Sequence, residues 1–196
     1  MRMSPHKEAA AQKIVTEAYA MVGTVATGFS TIEFHLQFLL STLISGKEAA
    51  PEAMLVLKDK QFRQRIELLK DLVTLRLKKG SELRRKGMEL VAALNSLRKT
   101  RNFYVHGYWL INYPTILSTG GVRCSDPTWQ FNKDDESWTS MTTRDISLAD
   151  LRKQITQTGR VFEQIHELIK QIHNQLIVPK QVLKPRRRKA KLHSGK

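Results

Sequence analysis

The sequence predicts an all-α protein: an up-and-down bundle of four to five helices, with a small β-hairpin or irregular insertion between the third and fourth long helices. Apolar residues recur at alternating steps of three and four over long stretches, which is typical of amphipathic helices. This period disappears between about residues 107 and 146. We therefore expect one helical domain over residues 1–178, followed by a basic, disordered tail over residues 179–196.

The first helix is expected to begin at Ser4-Pro5, because serine suits the N-cap and proline the first helical position. Gly23 and Gly28 each cost about 1 kcal/mol relative to alanine in a helix interior, which favours a kink or close helix packing there. The helix is expected to end at Gly46. Its apolar stripe consists of Val22, Val25, Phe29, Ile32, Leu36, Leu39 and Leu43.

A second helix is predicted over residues 52–78, with an apolar side and a basic side. The basic side consists of Lys58, Lys60, Arg63, Arg65, Lys70, Arg76 and Lys78. Such a face is more often simply solvated, and a path for nucleic acid is the alternative. The RNA-binding candidates on this helix are Lys58, Lys60, Arg63 and Arg65.

The third helix begins at Ser81, after a short break that favours an antiparallel neighbour. Its stripe consists of Leu83, Gly87, Leu90, Leu94 and Leu97. The next position in the same count is Arg101. An unpaired buried charge is very costly, so Arg101 is expected either to be paired or to face a cleft.

Aromatic and β-branched residues separated by turn signals predict two or three short strands in the insertion, with one turn at Gly120-Gly121. All three tryptophans lie there. The insertion would cover a bundle edge or an oligomer surface; base stacking by Trp129 or Trp138 is the alternative. Ser147 and Asp150 then have the spacing of a capping box, which predicts the start of the fourth long helix.

The net charge is +15, and the tail contributes eight positive charges without an acidic residue. A basic excess of this kind favours polyanions, nucleic acid above all, so Arg186, Arg187 and Arg188 are further RNA-binding candidates. The alternative for the tail is a disordered end that aids solubility. The chain has one cysteine, no apolar run of membrane length and no secretion signal, so we expect a cytoplasmic protein that does not contact the membrane.

The stretch from Arg101 to Gly107 is the strongest candidate for a functional site. There is no glycine-rich phosphate loop, paired Cys/His zinc spacing or HExxH or GxSxG motif, so no metal or cofactor is expected. On a helix, Asn102 and His106 lie on one face, and Arg101 begins about 7.5 Å of axial rise before the histidine. These three polar groups can converge on one anion.

Gly107 suits a left-handed position at the helix C-terminus, which would place His106 in the last turn, partly exposed. A histidine there, with an ordinary pKa of about 6.5, can exchange a proton near neutral pH. The alternative is structural: His106 would cap a helix dipole, and Arg101 would pair with an acid on a neighbouring helix.

The pattern Arg101-Asn102-x-x-x-His106 at the end of a third bundle helix resembles the HEPN superfamily, over about residues 10–178. The segment from Phe29 to Glu33 is also similar to the start of some members. The superfamily's range of four to six intervening residues also admits Arg160 and His166, but those residues lie in the middle of a helix.

The resemblance implies a metal-independent endoribonuclease in which two subunits pool their motifs in a cleft, as in a toxin or defence protein with a neutralising partner protein. His106 would be the general base or acid at the ribose 2′-hydroxyl, and Arg101 would stabilise charge on the phosphate. Asn102 would orient the phosphate or the histidine. A non-catalytic module that binds RNA or protein, and a purely structural helical dimer, remain as alternatives.

Overall fold

The structure is a computed structural model that describes residues 4–47, 49–110, 116, 118, 120–125, 130–132, 137–139 and 143–177. Within these residues five α-helices and five β-strands have defined bounds. The helices are α1 (Pro5–Ser45), α2 (Pro51–Leu57), α3 (Phe62–Arg76), α4 (Glu82–His106) and α5 (Leu148–Ile177). The strands are β1 (Tyr108–Leu110), β2 (Gly121–Ser125), β3 (Gln130–Asn132), β4 (Ser137–Thr139) and β5 (Thr143–Ser147). The predicted mostly helical class with a small β insertion is confirmed.

Helix α1 is the central element, because it packs along α5 and also contacts α2, α3 and α4. Its apolar stripe is buried from Val25 to Leu43. The helix continues without interruption through Gly23 and Gly28. A β-carbon on Gly28 would lie 2.7 Å from Cγ2 of Thr158 on α5, whereas one on Gly23 would meet nothing within 4 Å. The sequence predicted a kink or close helix packing at these glycines, and close packing is found at Gly28.

The predicted second helix is divided into two, α2 and α3. The chain turns after Leu57, whose carbonyl accepts a hydrogen bond from the backbone N–H of Lys60 at 3.2 Å. Helix α3 then starts with a capping box, in which the backbone N–H of Gln61 donates to Oε1 of Gln64 at 2.9 Å. A capping box is a strong start signal, and it begins a new helix at Phe62, inside the span that was predicted as one helix.

The insertion contains more strands than the two or three predicted. Strands β1, β2 and β5 form an antiparallel sheet with β2 in the centre, and β3 pairs with β4 as a separate hairpin. Strand β2 begins at Gly121, where the sequence predicted a turn. A β-carbon at Gly121 would clash with the carbonyl of Ile146 on β5, so this glycine permits close strand pairing. Trp129 lies outside the described residues, and so does the side chain of Trp138.

Helix α5 begins with the predicted capping box. The backbone N–H of Ser147 donates to Oδ2 of Asp150, and the backbone N–H of Asp150 donates to Oγ of Ser147, each at 3.1 Å. The Ser147 hydroxyl also donates to Oδ2 of Asp150 at 2.6 Å, and this hydrogen bond, with the one from the Ser147 backbone, lowers the pKa of the Asp150 carboxyl. Among the described helices, none is long and apolar enough to cross a membrane.

Candidate functional site

Arg101 is paired with a carboxylate of α1. Its Nε lies 2.6 Å from Oε1 of Glu33, and the two side chains are 24% and 23% exposed. The guanidinium carbon also lies 5.9 Å from the centre of the Phe62 ring. The arginine at the end of the α4 stripe is therefore held by an ion pair and an aromatic ring. Pairing is one of the two arrangements expected for a charge at this stripe position, and an acid on a neighbouring helix is the partner that the structural alternative expected.

Arg101 also lines a cleft of about 360 Å³. The lining residues are Glu33, Lys60, Gln61, Phe62, Arg63, Arg98 and Arg101. Four of these side chains are cationic, and only one is acidic. A concave site with such an excess of positive charge attracts anions, and arginine matches the geometry of phosphate oxygens. Where side chains are described, no three His, Cys, Asp or Glu side chains converge as metal ligands.

The break between α2 and α3 supplies one wall of this cleft. It places Lys60 and Gln61 directly before the first turn of α3, and the N-terminus of a helix carries a partial positive charge. Arg63 lies in that first turn and pairs with Glu67 through Nε at 2.9 Å, both side chains being well exposed. Two RNA-binding candidates thus lie in the same cleft as the proposed catalytic arginine.

Arg98 is a cleft residue that the sequence analysis did not single out. It lies one turn before Arg101 on α4, so the two arginines share a side of the helix. Its Nε is buried, and within the described parts of the chain it has no hydrogen-bond partner. The three-residue spacing from Arg101 was the available signal. The partner Glu33 lies in the segment from Phe29 to Glu33 that the sequence analysis had singled out.

Asn102 and His106 belong to the last turns of α4, and His106 is its final residue. Their side chains lie outside the described residues. Gly107 does not adopt the expected left-handed conformation, since its φ is −67° and its ψ is 149°. It is required for space instead: a β-carbon there would clash with the carbonyl of Phe103 and with Sγ of Cys124.

Arg65 does not lie on the exposed basic face that the sequence predicted. It is only 7% exposed, and its guanidinium donates to the carbonyl of Leu57 at 3.4 Å. The Gln37 amide, with its oxygen towards Arg65, accepts from both terminal guanidinium nitrogens at 2.7 and 2.9 Å. Arg65 thus links α1, α2 and α3. Lys58 is exposed as predicted, and Arg186, Arg187 and Arg188 lie outside the described residues.

A cluster of aromatic and imidazole rings lies between α1 and α5. The ring centre of His35 lies 4.5 Å from that of His166 and 4.9 Å from that of Phe162. Phe34, which packs edge-on against His35, is 53% exposed. Burial, and secondarily the neighbouring His166, lower the pKa of His35. This cluster contains no residue of the predicted site.

Comparison with known proteins adds no relative. No protein-family model, curated protein or solved structure shows significant similarity to this chain. The cationic cleft beside the end of α4 is therefore interpreted from its own chemistry.

Proposed function

We propose that this protein is a HEPN-like, metal-independent endoribonuclease. The observation that carries the proposal is the cationic cleft in which Glu33 and Phe62 hold Arg101, five residues before His106 at the end of α4. Arginine can stabilise the charge that develops on a phosphate during attack, and histidine can move a proton near neutral pH. Both groups lie on the last turns of one helix.

In the proposed reaction, His106 removes the proton of a ribose 2′-hydroxyl, and the 2′-oxygen attacks the adjacent phosphorus. The bond between phosphorus and the 5′-oxygen breaks, this oxygen takes a proton from water, and His106 releases its own proton to water. The products are a 2′,3′-cyclic phosphate and a 5′-hydroxyl end. Arg101 stabilises the negative charge on the phosphate, and Asn102 orients the phosphate or the histidine. The resemblance also supports a cytoplasmic homodimer in which two copies contribute to one cleft, and a neutralising partner protein.

The test uses the full-length protein and a labelled single-stranded RNA in EDTA. We expect cleavage of the RNA and not of DNA of the same sequence, because DNA lacks the 2′-hydroxyl. We expect the His106→Ala variant to lose cleavage while its circular dichroism and melting temperature stay close to those of the native protein. Mass spectrometry should identify the cyclic phosphate on the product. Equal cleavage by native protein and His106→Ala would refute the assignment.

The second candidate is a non-catalytic module that binds RNA. The observations in its favour are that four cationic side chains line the cleft, which suffices to bind phosphate groups without proton transfer, and that Arg101 is paired with Glu33 as a structural role requires. This candidate predicts that the native protein binds the RNA and does not cut it. Growth of cells that express the native chain, compared with cells that express His106→Ala, gives a first separation of the two. Only a nuclease should slow growth in a manner that depends on His106.

A further inference from the structure

We infer that Arg98 is a phosphate-binding residue and that the cleft around it holds one backbone phosphate of single-stranded RNA, next to the phosphate that is cleaved. This inference rests on the proposed function, because it takes RNA as the ligand. It goes beyond that function, because it adds a binding subsite and assigns Arg98 to binding rather than to chemistry.

The first argument is the hydrogen-bonding state of Arg98. Its Nε is buried without a partner among the described residues, at the wall of a cleft. A buried donor without an acceptor is unfavourable, so a ligand that draws the Arg98 guanidinium towards the cleft would supply a hydrogen bond that the described residues do not. Phosphate oxygens suit the planar guanidinium group particularly well.

The second argument is charge. Lys60 and Arg63 line the cleft from the start of α3, and Arg98 and Arg101 line it from α4. Among the described lining residues Glu33 is the only carboxylate, and it is engaged by Arg101. Arg63 is paired with Glu67, which lies outside the lining, so Lys60 and Arg98 supply the positive charge on two sides of the cavity. An anion entering between them would be contacted from both sides.

The third argument is size and position. A volume of about 360 Å³ lies at the small end of the range of roughly 300–1,000 Å³ for ligand pockets, which fits one nucleotide unit rather than a duplex. Arg98 begins about 12 Å of axial rise before His106, compared with about 7.5 Å for Arg101. Arg98 therefore serves the part of the cleft that lies farther from the proposed reaction centre.

The test measures binding without cleavage. The probe is a 2′-O-methyl oligonucleotide, which has the backbone charge of RNA and lacks the attacking hydroxyl. Its Kd is measured by fluorescence anisotropy at several salt concentrations. We expect Arg98→Gln to raise the Kd roughly tenfold. The magnitude of the salt slope should fall by about 0.7, the value for one lost phosphate contact with a single strand.

The matched control is Arg85→Gln, which removes the same charge from the same helix. Arg85 is exposed and pairs with Glu82 and Glu89, away from the cleft. Its removal should leave the Kd and the salt slope close to the native values. Arg98→Lys, which keeps the charge and loses the planar fork, should lie between the native protein and Arg98→Gln. If Arg98→Gln and Arg85→Gln give the same small change, the subsite is refuted.

Further measurements distinguish this inference from the proposed function. In single-turnover cleavage, Arg98→Gln should raise the RNA concentration that gives half the maximal rate by about the same factor, roughly tenfold, as the Kd of the probe. If the native protein does not cut RNA but Arg98→Gln still weakens probe binding, the nuclease proposal fails and the subsite stands. If the native protein cuts RNA and the probe binds Arg98→Gln as tightly as it binds the native protein, the subsite is refuted and the nuclease proposal stands.

Two controls cover folding and ligand class. If Arg98→Gln fails to fold, Lys60→Gln takes its place as the test, because it removes a positive charge from the opposite wall of the cleft. It should also weaken binding of the probe, and native affinity in Lys60→Gln would then refute the subsite. A polyglutamate peptide of equal charge should compete poorly, because a carboxylate chain lacks the phosphate geometry. Equal competition by the peptide would show that the cleft is a general anion site, and it would overturn the assignment to RNA.

Discussion

Replacing Glu33 by glutamine tests whether the ion pair with Arg101 positions that arginine for catalysis. The substitution keeps the shape and one hydrogen-bond acceptor, and it removes the only negative charge among the described lining residues. We expect two opposite effects on function. Binding of an uncleavable strand should become tighter, because the cleft gains net positive charge. The single-turnover rate of the proposed RNA cleavage should fall, because an uncharged acceptor holds the guanidinium less firmly on its Nε edge.

The geometry of the pair limits the expected loss of stability. At a charge separation of about 4 Å and an effective dielectric constant of about 20, the gross Coulomb attraction is about 4 kcal/mol. Desolvation and screening oppose it, since the two side chains are 24% and 23% exposed. Exposed pairs contribute about 0–1 kcal/mol, while breaking a buried pair costs about 3–5 kcal/mol. We therefore expect Glu33→Gln to lower the free energy of unfolding by about 1–2 kcal/mol.

A double-mutant cycle measures the pair directly. Urea unfolding of the native protein, Glu33→Gln, Arg101→Gln and the double variant should give a coupling free energy of about 1–2 kcal/mol. A value near zero would refute the view that the ion pair holds Arg101 in place. Normal cleavage by Glu33→Gln despite a lower unfolding free energy would show that the pair stabilises the fold without positioning the catalytic group.

Three further expectations concern packing and titration. Gly23→Ala and Gly28→Ala share a gain in helix propensity of about 1 kcal/mol. In urea unfolding, the free energy of unfolding of Gly28→Ala should be lower than that of Gly23→Ala by about 1–3 kcal/mol, because the new methyl group is crowded against α5. Equal stabilities would refute the close packing. His166→Gln should raise the pKa of His35 towards 6.5 in an NMR titration. The native protein should lose stability as the pH falls just below 6.5, because its folded state resists protonation of His35, and the variant should lose less. An unchanged pKa of His35 would exclude repulsion by His166. Asp150→Asn should lower the free energy of unfolding by about 1 kcal/mol at pH 7. This loss should vanish in acid, because a carboxyl with a lowered pKa stabilises the fold only above that pKa. A loss that persists at pH 2 would point to another cause.

Much of the fold could be predicted from periodicity. The stripes of α1, α4 and α5 were visible because long amphipathic helices repeat one spacing many times. The division of the second helix was not predicted, although residues 58–61 contain no apolar side chain; the break depends on local capping by Gln61 and Gln64. Strand β2 was missed because it begins with Gly121, a residue that is typical of turns. Its strand conformation depends on pairing with β1 and β5, and such pairing leaves no local pattern.

Local sequence carried less information about the candidate site. The position of Arg101 on a stripe required a partner, and the structure identifies that partner as Glu33. Arg65 looked equivalent to its basic neighbours, yet it is buried beside Gln37, because the face of a helix that meets another helix depends on tertiary packing. Glu33 and Gln37 lie one turn apart on α1, and each holds an arginine of a different helix. These two polar residues of the first apolar run thus fix the side chains of Arg101 and Arg65 in place.

The missing side chain at Gly107 has a consequence for how this protein could be shortened or recombined. The backbone after His106 lies so close to Cys124 of β2 that no substituent fits between them. The last turn of α4 and the sheet are therefore fitted to each other. A minimal protein made by joining α4 directly to α5 would lose the surface that fixes the end of α4. A redesigned or transplanted version of α4 would therefore have to keep the sheet of the insertion with it.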